Sequence, residues 1–596
     1  MILSENISSD TLKNLTLEEK NLLCEEIRAF LIDNVPKTGG HLASNLGTVE
    51  LTVALHSVFT TPEDKIVFDV GHQSYTHKLL TGRYSDFPKL RSKDGISGFP
   101  RHAESEHDAF IGGHSSISIS AALGIAKAME LEGKAGNVIA VIGDGALTGG
   151  QAYEGLNNVS KLSNNLIIVL NDNEMSISRS KGSVADYLTR MRSSRSYYDK
   201  KAAVKDFLSH SDIGKEISKS ISGTKDLVKF AIYQSNIFES LGLKYYGPVN
   251  GHDLGKLIEI LEIAKMTDEP CIVHVKTKKG KGYKPAELNS GEYHGISKKS
   301  AGAQKSLTFS ETAGTALLEH ADTDDKICAV TAAMKYATGL EHIAKTYPER
   351  FFDVGIAEQH ALTFSCGLAA EGMLPVFAVY STFFQRCYDQ LIHDASIEKK
   401  HIVLFIDRAG FVGEDGETHQ GLFDVPMLTS VPNTEIYSPF DRNTLKLCIE
   451  KALYESDGIA AIRYPKGVCP AGVRRKYRDF YYSGKQNDTL IVTYGRIAHF
   501  AQSVEGADTL ALLKIFPINA EAAVTAAGYS KVYFFEEGMK NGGIAEKFLY
   551  ELYGQGFTGK YTVTAVEGTV GSADTETQLA EAGLDREGMI RRLRDE

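Results

Sequence analysis

Short apolar runs rich in β-branched residues alternate with helix-like segments three times along the chain, and this alternation leaves few folds open. The first block carries "KIVFDVG", "NVIAVIGDG", "NLIIVLNDN" and "PCIVHVKT". Runs that are apolar throughout, rather than alternating, suit parallel strands covered on both faces by helices. A second block holds "KICAVTAA", "RFFDVG", "LPVFAVY", "HIVLFIDR" and "GIAAIRYPKG", and a third holds "DTLIVTYG", "DTLALLKIF", "KVYFFEEG" and "YTVTAVEG". The expected fold class is therefore α/β, with three α/β domains built on mainly parallel sheets. Their expected spans are 1–300, 306–475 and 485–596, with the polar stretch "NSGEYHGISKKSAGAQKS" reading as a linker after the first. Residues 189–228, rich in Ser, Lys, Arg and Asp, read as a mobile or helical excursion from the first domain.

A length of 596 residues fits this division, since domains run to roughly 100–200 residues. The net charge of −11 argues against a general nucleic-acid binder, while leaving room for a local basic pocket. No apolar run approaches the ~20 residues of a membrane span. The opening "MILSENISSD" lacks the basic and apolar regions of a signal peptide and the arginine bias of a transit peptide. Seven dispersed cysteines without CxxC spacing read as reduced thiols. The expectation is a cytoplasmic protein with neither a nucleic-acid nor a membrane partner.

One carboxylate stands out against this background. Asp144 sits between Gly143 and Gly145 at the tip of the apolar run Val138–Ile142. The next run ends in Asn171, Asp172 and Asn173, and the intervening "ALTGGQAYEGLNNVSKL" is about the length of one crossover helix. A right-handed βαβ unit would bring both tips to one sheet rim, where open parallel sheets bind ligands. Carboxylate and amide oxygens, completed by a carbonyl, waters and phosphate oxygens, suit octahedral magnesium. The glycines would allow close approach to a diphosphate. The plainer reading is that Asp144 caps the following helix.

The GDG…NDN spacing resembles the thiamine diphosphate motif. By that resemblance Asp144 and Asn173 bind Mg2+, with the Met175 carbonyl as a third ligand. Thiamine chemistry also needs a carboxylic acid on the pyrimidine ring nitrogen. Glu358, in "FFDVGIAEQHALTFSCGLA", follows a strand and opens a helix-period segment. Alone it could merely complement the helix dipole, but the block resembles the "IAEQH" of transketolase-like enzymes, where it would activate the cofactor. Phe383, in "VYSTFFQRCYDQ", matches the residue that stacks on the pyrimidine; its alternative is core packing. Tyr380 and Arg386 lie near it in sequence.

Further stretches sharpen the resemblance: "GGHLASNLG", "FDVGHQSYTHKLLTGR", "FIGGHSSISISAALG", "KGKGYKPAE", "DRAGFVGEDGETHQGLFD" and "IRYPKG". With these, nearly the whole chain resembles the 1-deoxy-D-xylulose-5-phosphate synthase family. The resemblance implies a transketolase-like fold with diphosphate- and magnesium-binding, pyrimidine-binding and C-terminal domains in that order. It implies thiamine diphosphate and Mg2+ as cofactors, pyruvate and D-glyceraldehyde 3-phosphate as substrates, and assembly as a homodimer. The products would be 1-deoxy-D-xylulose 5-phosphate and CO2, feeding isoprenoid, thiamine and pyridoxal synthesis. His72, Gly113, His114, Ser115, Gly145, Ala146, Asn173, Tyr283, Glu358 and Phe383 would line the cofactor. Tyr380, Arg408, Asp415 and Arg463 would bind the acceptor, the guanidiniums gripping its phosphate in a planar fork. His41, His419 and His294 would hydrogen-bond reacting oxygens and move protons. Arg463 could instead be a surface residue at a strand end. Asn250 stands where the family pattern has aspartate, and Lys335–Ala337 departs from a glycine-containing version. Transketolase itself, a pyruvate dehydrogenase E1-type subunit and a non-catalytic thiamine-binding scaffold are the alternative readings.

Overall fold

A computed structural model describes residues 2–162, 165–173, 237–296, 306–472, 478–484 and 487–595. The expected excursion at 189–228 and the Met175 carbonyl lie outside the described residues. The chain divides into two compact units, one formed by residues 1–90 and 94–299, the other by 91–93 and 300–596.

The first unit holds a five-stranded sheet of β1 (Lys65–Phe68), β2 (Val138–Gly143), β3 (Leu166–Asp172), β4 (Lys244–Asn250) and β5 (Cys271–Lys276), in the order β1-β2-β3-β5-β4. Every neighbouring pair is parallel. The apolar runs behave as doubly covered strands must. Ile139, Val141, Ile167 and Val169 enter one core, while Ala140, Ile142, Ile168 and Leu170 enter the core on the opposite face, the two-residue alternation of a strand serving both. The first core also takes in Leu23, Ile27, Leu31 and Val35 of the helix Leu17–Thr38. That helix starts at a reciprocal cap between Thr16 and Glu19.

The second unit carries two sheets. One has seven strands: β6 (Ile327–Thr331), β7 (Phe351–Asp353), β8 (Leu374–Tyr380), β9 (Ile402–Asp407), β10 (Thr434–Tyr437), β11 (Ile459–Tyr464) and β15 (Lys514–Phe516). The other has five: β12 (Phe480–Ser483), β13 (Thr489–Tyr494), β14 (Asp508–Leu512), β16 (Lys531–Met539) and β17 (Lys560–Val566). Pairing is parallel except at β10–β15 and β12–β14. The expected α/β class with mainly parallel sheets holds.

Two local expectations are corrected. The run "DTLALLKIF" is not one strand: β14 pairs in parallel with β13, and after Leu513 the chain crosses to the seven-stranded sheet as antiparallel β15. The β2–β3 connection is not one helix but a turn, Asp144–Leu147, followed by the helix Gly150–Leu162, because Gly149 and Gly150 interrupt the first turn. All seven cysteines are buried and free, and no helix among the described residues is long and apolar enough to cross a membrane.

Candidate functional site

In the first unit, parallel pairing sets Gly143 of β2 opposite Asn171 of β3. Asp144 and Asn173 therefore leave neighbouring strand ends on one rim. Asp144 is only 4% exposed. The cap of the short turn it begins is Gly143, without a side-chain capping bond, so helix capping does not account for the carboxylate. The polar residues ending β3 divide by face. Asp172 is sequestered: its Oδ2 lies 2.9 Å from His274 Nε2, and Tyr245 Oη lies 2.7 Å from the other ring nitrogen. Asn171 accepts a hydrogen bond from Thr277 Oγ1 at 2.6 Å. Asn173 follows at the strand end, half-buried.

Lys279 was not singled out from sequence, where it is one of three lysines in "TKKGKGY". It is 7% exposed. Burial pushes its ammonium down to about 8, while the Asp144 charge works in the other direction. A buried cation coupled to the rim carboxylate is suited to an anionic ligand.

Three imidazoles meet in the same unit. Ring centroids are 5.2 Å apart for His41 and His72, 5.4 Å for His41 and His294, and 5.1 Å for His72 and His294. Asn45, also missed from sequence, staples two of them. Its amide donates to the His41 and His72 carbonyls, each at 2.7 Å, and its oxygen accepts the Tyr75 N–H at 2.8 Å. Ser44 Oγ lies 3.2 Å from His294 Nδ1. Burial, then the Lys279, His72 and His41 charges, hold the His294 imidazolium well below the ordinary histidine range.

The segment carrying Gly113, His114 and Ser115 is tied to both strand ends. Gly113 N–H donates to Val70 O at 2.6 Å. The Asp69 carboxylate accepts the Ser116 and Ser118 N–H groups at 2.7 and 2.9 Å, and Ser116 Oγ donates to Ala146 O at 2.7 Å. Gly113–Ser115 and Gly145–Ala146 are thus brought together. Tyr283 is half-buried, and its ring packs on Tyr293 at 5.7 Å rather than on the histidines.

The second unit gathers the remaining candidates. Glu358 is the first residue of the helix Glu358–Ala370 and is 3% exposed. Burial raises its carboxyl above the usual range, with Arg386 opposing; Arg386 Nη1 lies 3.3 Å from Glu358 Oε2. Phe383 stacks on Tyr380 at 5.8 Å and meets His419 edge-on at 5.5 Å. Its neighbour Phe384 is fully buried while Phe383 is not, so the core position in "TFF" belongs to Phe384.

Arg408 has a left-handed backbone, φ 59°, a strained conformation of the kind that accumulates at functional sites. Its guanidinium lies 3.9 Å over the Tyr380 ring and 3.8 Å from Asp415. Burial alone would raise the Asp415 carboxyl, but Lys466, Arg91, His419 and Arg408 pull it well below the usual range. Lys466 Nζ lies 3.1 Å from Asp415, and Arg91 pairs with the same carboxylate. Neither cation was read from sequence, since an isolated lysine or arginine carries no spacing signal. Arg463 is not a surface residue but 4% exposed. Its Nε donates to the fully buried Asp424 at 2.7 Å, and its Nη2 donates to Asp424 Oδ1 at 3.4 Å and to the Glu537 carbonyl at 3.3 Å.

No group of three or more His, Cys, Asp or Glu side chains among the described residues is arranged to hold a metal. A hard cation at the Asp144–Asn173 rim would thus take one carboxylate, amide oxygen and the oxygens of a bound phosphate. That donor set fits Mg2+, which is commonly held by one or two carboxylates and substrate phosphates.

The sheets and these clusters define a transketolase-type α/β enzyme, and residues 305–471 match the family described as "Transketolase, pyrimidine binding domain". Residues 3–277 match the family described as "1-deoxy-D-xylulose-5-phosphate synthase". The chain is 50% identical over 463 residues to the 1-deoxy-D-xylulose-5-phosphate synthase of Clostridium acetobutylicum, covering 77% of this chain and 75% of that protein. It is 48% identical over 508 residues to that of Alkaliphilus oremlandii, covering 83% and 81%, and 51% identical over 462 residues to that of Clostridium kluyveri, covering 76% and 74%. The chain belongs to the 1-deoxy-D-xylulose-5-phosphate synthase family of transketolase-type transferases.

The histidine cluster generates a pH prediction. A histidine held neutral in the fold but free to protonate when unfolded removes stability as pH falls below the ordinary range near 6.5. In an NMR titration of the cofactor-free protein, assigned with His294→Gln, the His294 ring should protonate only well below the ordinary histidine range. A midpoint at or above the ordinary histidine value would contradict the enclosed, cation-flanked geometry.

Proposed function

We propose that this chain binds thiamine diphosphate with Mg2+, decarboxylates pyruvate and joins the two-carbon fragment to D-glyceraldehyde 3-phosphate. The products are 1-deoxy-D-xylulose 5-phosphate and CO2. The balance consumes one proton per pyruvate anion: the bond to the carboxylate breaks, CO2 leaves, and the retained electron pair forms the new bond to the aldehyde carbon. The product places the enzyme at the entry to isoprenoid synthesis and supplies thiamine and pyridoxal synthesis. Homodimeric assembly and a cytoplasmic location belong to the same reading.

When bound, thiamine diphosphate supplies an acidic ring carbon that adds to a ketone and holds the electrons released on decarboxylation. The chain's own residues do the rest. Asp144 and Asn173 would hold the cation, with Lys279 and the Gly113–Ser115 and Gly145–Ala146 backbone near the diphosphate. Glu358 would hold a proton toward the pyrimidine ring nitrogen. Its raised pKa favours the protonated donor form, as burial does for any carboxylic acid. Phe383 would present its ring to the pyrimidine. His41, His294 and His419 would hydrogen-bond reacting oxygens and move protons, and His72 would line the cofactor.

The observation that carries the substrate assignment is Arg408. Its guanidinium is stacked on Tyr380 and half-buried, yet it donates no side-chain hydrogen bond to any described residue. Arg463 is more committed, with Nε and Nη2 on Asp424 and Glu537, and only Nη1 makes no hydrogen bond among the described residues. A guanidinium held by ring stacking with its donors left open suits the oxygens of a phosphate.

Incubation with pyruvate, glyceraldehyde 3-phosphate, thiamine diphosphate and Mg2+ should release CO2 in step with deoxyxylulose phosphate. CO2-free turnover of a ketose phosphate would favour transketolase chemistry instead. Glu358→Ala should bind the cofactor in calorimetry yet lose most turnover; wild-type rates would remove Glu358 from the mechanism. Arg408→Ala should raise KM for glyceraldehyde 3-phosphate roughly 10–100-fold, the worth of a charge-assisted hydrogen bond, with a much smaller change for pyruvate. Equal effects on both substrates would argue against a phosphate role.

A further inference from the structure

The loop after β9, Arg408–Gly416, carries two of the proposed acceptor residues, and its own backbone bonds are few: a Gly410–Gly421 bridge and Gly416 N–H to Gly413 O. Its backbone is left-handed at Arg408, Gly410, Gly413 and Gly416, with φ of 59°, 82°, 78° and 75°, which rules out a regular ladder. From Phe411 to Gly413, every backbone N–H and C=O is instead met by a side chain. Phe411 N–H donates to Glu537 Oε1 at 2.6 Å, and Arg496 Nη2 donates to Phe411 O at 2.8 Å. Val412 N–H donates to Gln420 Oε1 at 2.9 Å, and Lys466 Nζ donates to Val412 O at 3.1 Å. Gly413 N–H donates to Gln578 Oε1 at 3.1 Å, and Gln578 Nε2 donates back to Gly413 O at 3.2 Å.

Most of these partners come from the chain's last sheet and its helices. Arg496 follows β13, Glu537 lies in β16, and Gln578 sits in the helix Thr575–Glu581. Arg496 and Glu537 also pair with each other, Nε to Oε2 at 2.9 Å. Gln578 is 2% exposed and Glu537 5%. The Phe411 ring is fully buried in a core shared with Ile491, Ile497, Tyr533 and Phe535 of that layer. Gly410 is required here, because a Cβ at this position would run into the Glu537 carboxylate. Glu537 also reaches the second arginine, since its backbone carbonyl accepts Arg463 Nη2.

We propose that Glu537, Arg496 and Gln578 are positioning residues for acceptor recognition, fixing the loop that aims Arg408 and Asp415. The last sheet layer thereby takes part in substrate selection without touching substrate. The inference rests on the reading of Arg408 as a phosphate ligand. An irregular loop held by fully satisfied buried bonds keeps one geometry, and loss of a clamp lets it sample others. The cost falls on binding of the group the loop reads rather than on chemistry elsewhere.

The test uses the full-length chain loaded with thiamine diphosphate and Mg2+. Gln578→Ala deletes both bonds to Gly413. Glu537→Gln is isosteric and removes the charge that holds Arg496, so it guards against a misfolded first variant. In each, KM for glyceraldehyde 3-phosphate should rise roughly tenfold, about the worth of a lost buried hydrogen bond, with kcat and the pyruvate KM within about twofold. Amide hydrogen exchange over residues 410–416 should accelerate in parallel. If exchange accelerates while the acceptor KM stays at the wild-type value, and Arg408→Ala still raises it, the positioning role is overturned and the phosphate reading stands. If Arg408→Ala itself shows no acceptor selectivity, the phosphate reading falls and this inference with it. A uniform loss of kcat with a lowered melting temperature would mark the clamp as merely structural and overturn the proposal.

Discussion

The parallel pairing of β2 with β3 is the constraint from which the first unit's chemistry follows. Because Gly143 faces Asn171 across the ladder, two polar strand tips are forced onto one rim, and no loop has to search for the other. Both strands are apolar up to their last residues and buried on both faces, so a one-residue slip would exchange the two cores' side chains. The register that packs the interior is therefore the register that fixes the spacing of Asp144 and Asn173. A buried carboxylate at such a point is costly unless compensated, and Lys279 supplies a nearby charge of the opposite sign.

The second unit solves a different problem, holding cations beside an anion while leaving some of their donors open. Asp415 is surrounded by Lys466, Arg91 and Arg408, a local concentration of cations within a chain of net charge −11. Asp424 plays the corresponding part for Arg463. Partial commitment of this kind fixes the guanidinium plane in advance, which lowers the ordering cost of binding. Glu358 receives the opposite treatment: burial outweighs its single arginine contact and favours the neutral acid.

Much of this was legible in the sequence, and the reasons for success and failure are physical. The β2 and β3 strands announced themselves because continuous apolar runs bounded by glycine or asparagine have few other readings. The short strands β4, β10 and β12 were missed: "KYYGPVN", "TEIY" and "FYYS" mix polar and aromatic residues and are too brief to show a period. Within "NDN" only the resemblance singled out Asn173; that Asp172 is occupied by His274 on the facing strand β5 could not be read from spacing. The meeting of His41, His72 and His294 involves residues far apart in the chain, and sequence without topology has no means of joining them. For Arg463 the sequence left a surface position at a strand end open beside the acceptor-site reading, because its buried partner Asp424 lies in a different segment. The clamp on residues 411–413 was invisible for the same reason: each bond joins an ordinary glutamine, glutamate, arginine or lysine to backbone.

The central claim, that the β2–β3 rim holds a divalent cation through Asp144 and Asn173, is tested most directly by anomalous diffraction from crystals grown with thiamine diphosphate and Mn2+ in place of Mg2+. The account predicts one manganese peak at roughly 2 Å from oxygens of both side chains, with cofactor phosphate oxygens completing the shell. A manganese peak elsewhere with the cofactor bound, or an ordered diphosphate whose cation does not touch Asp144, would contradict it.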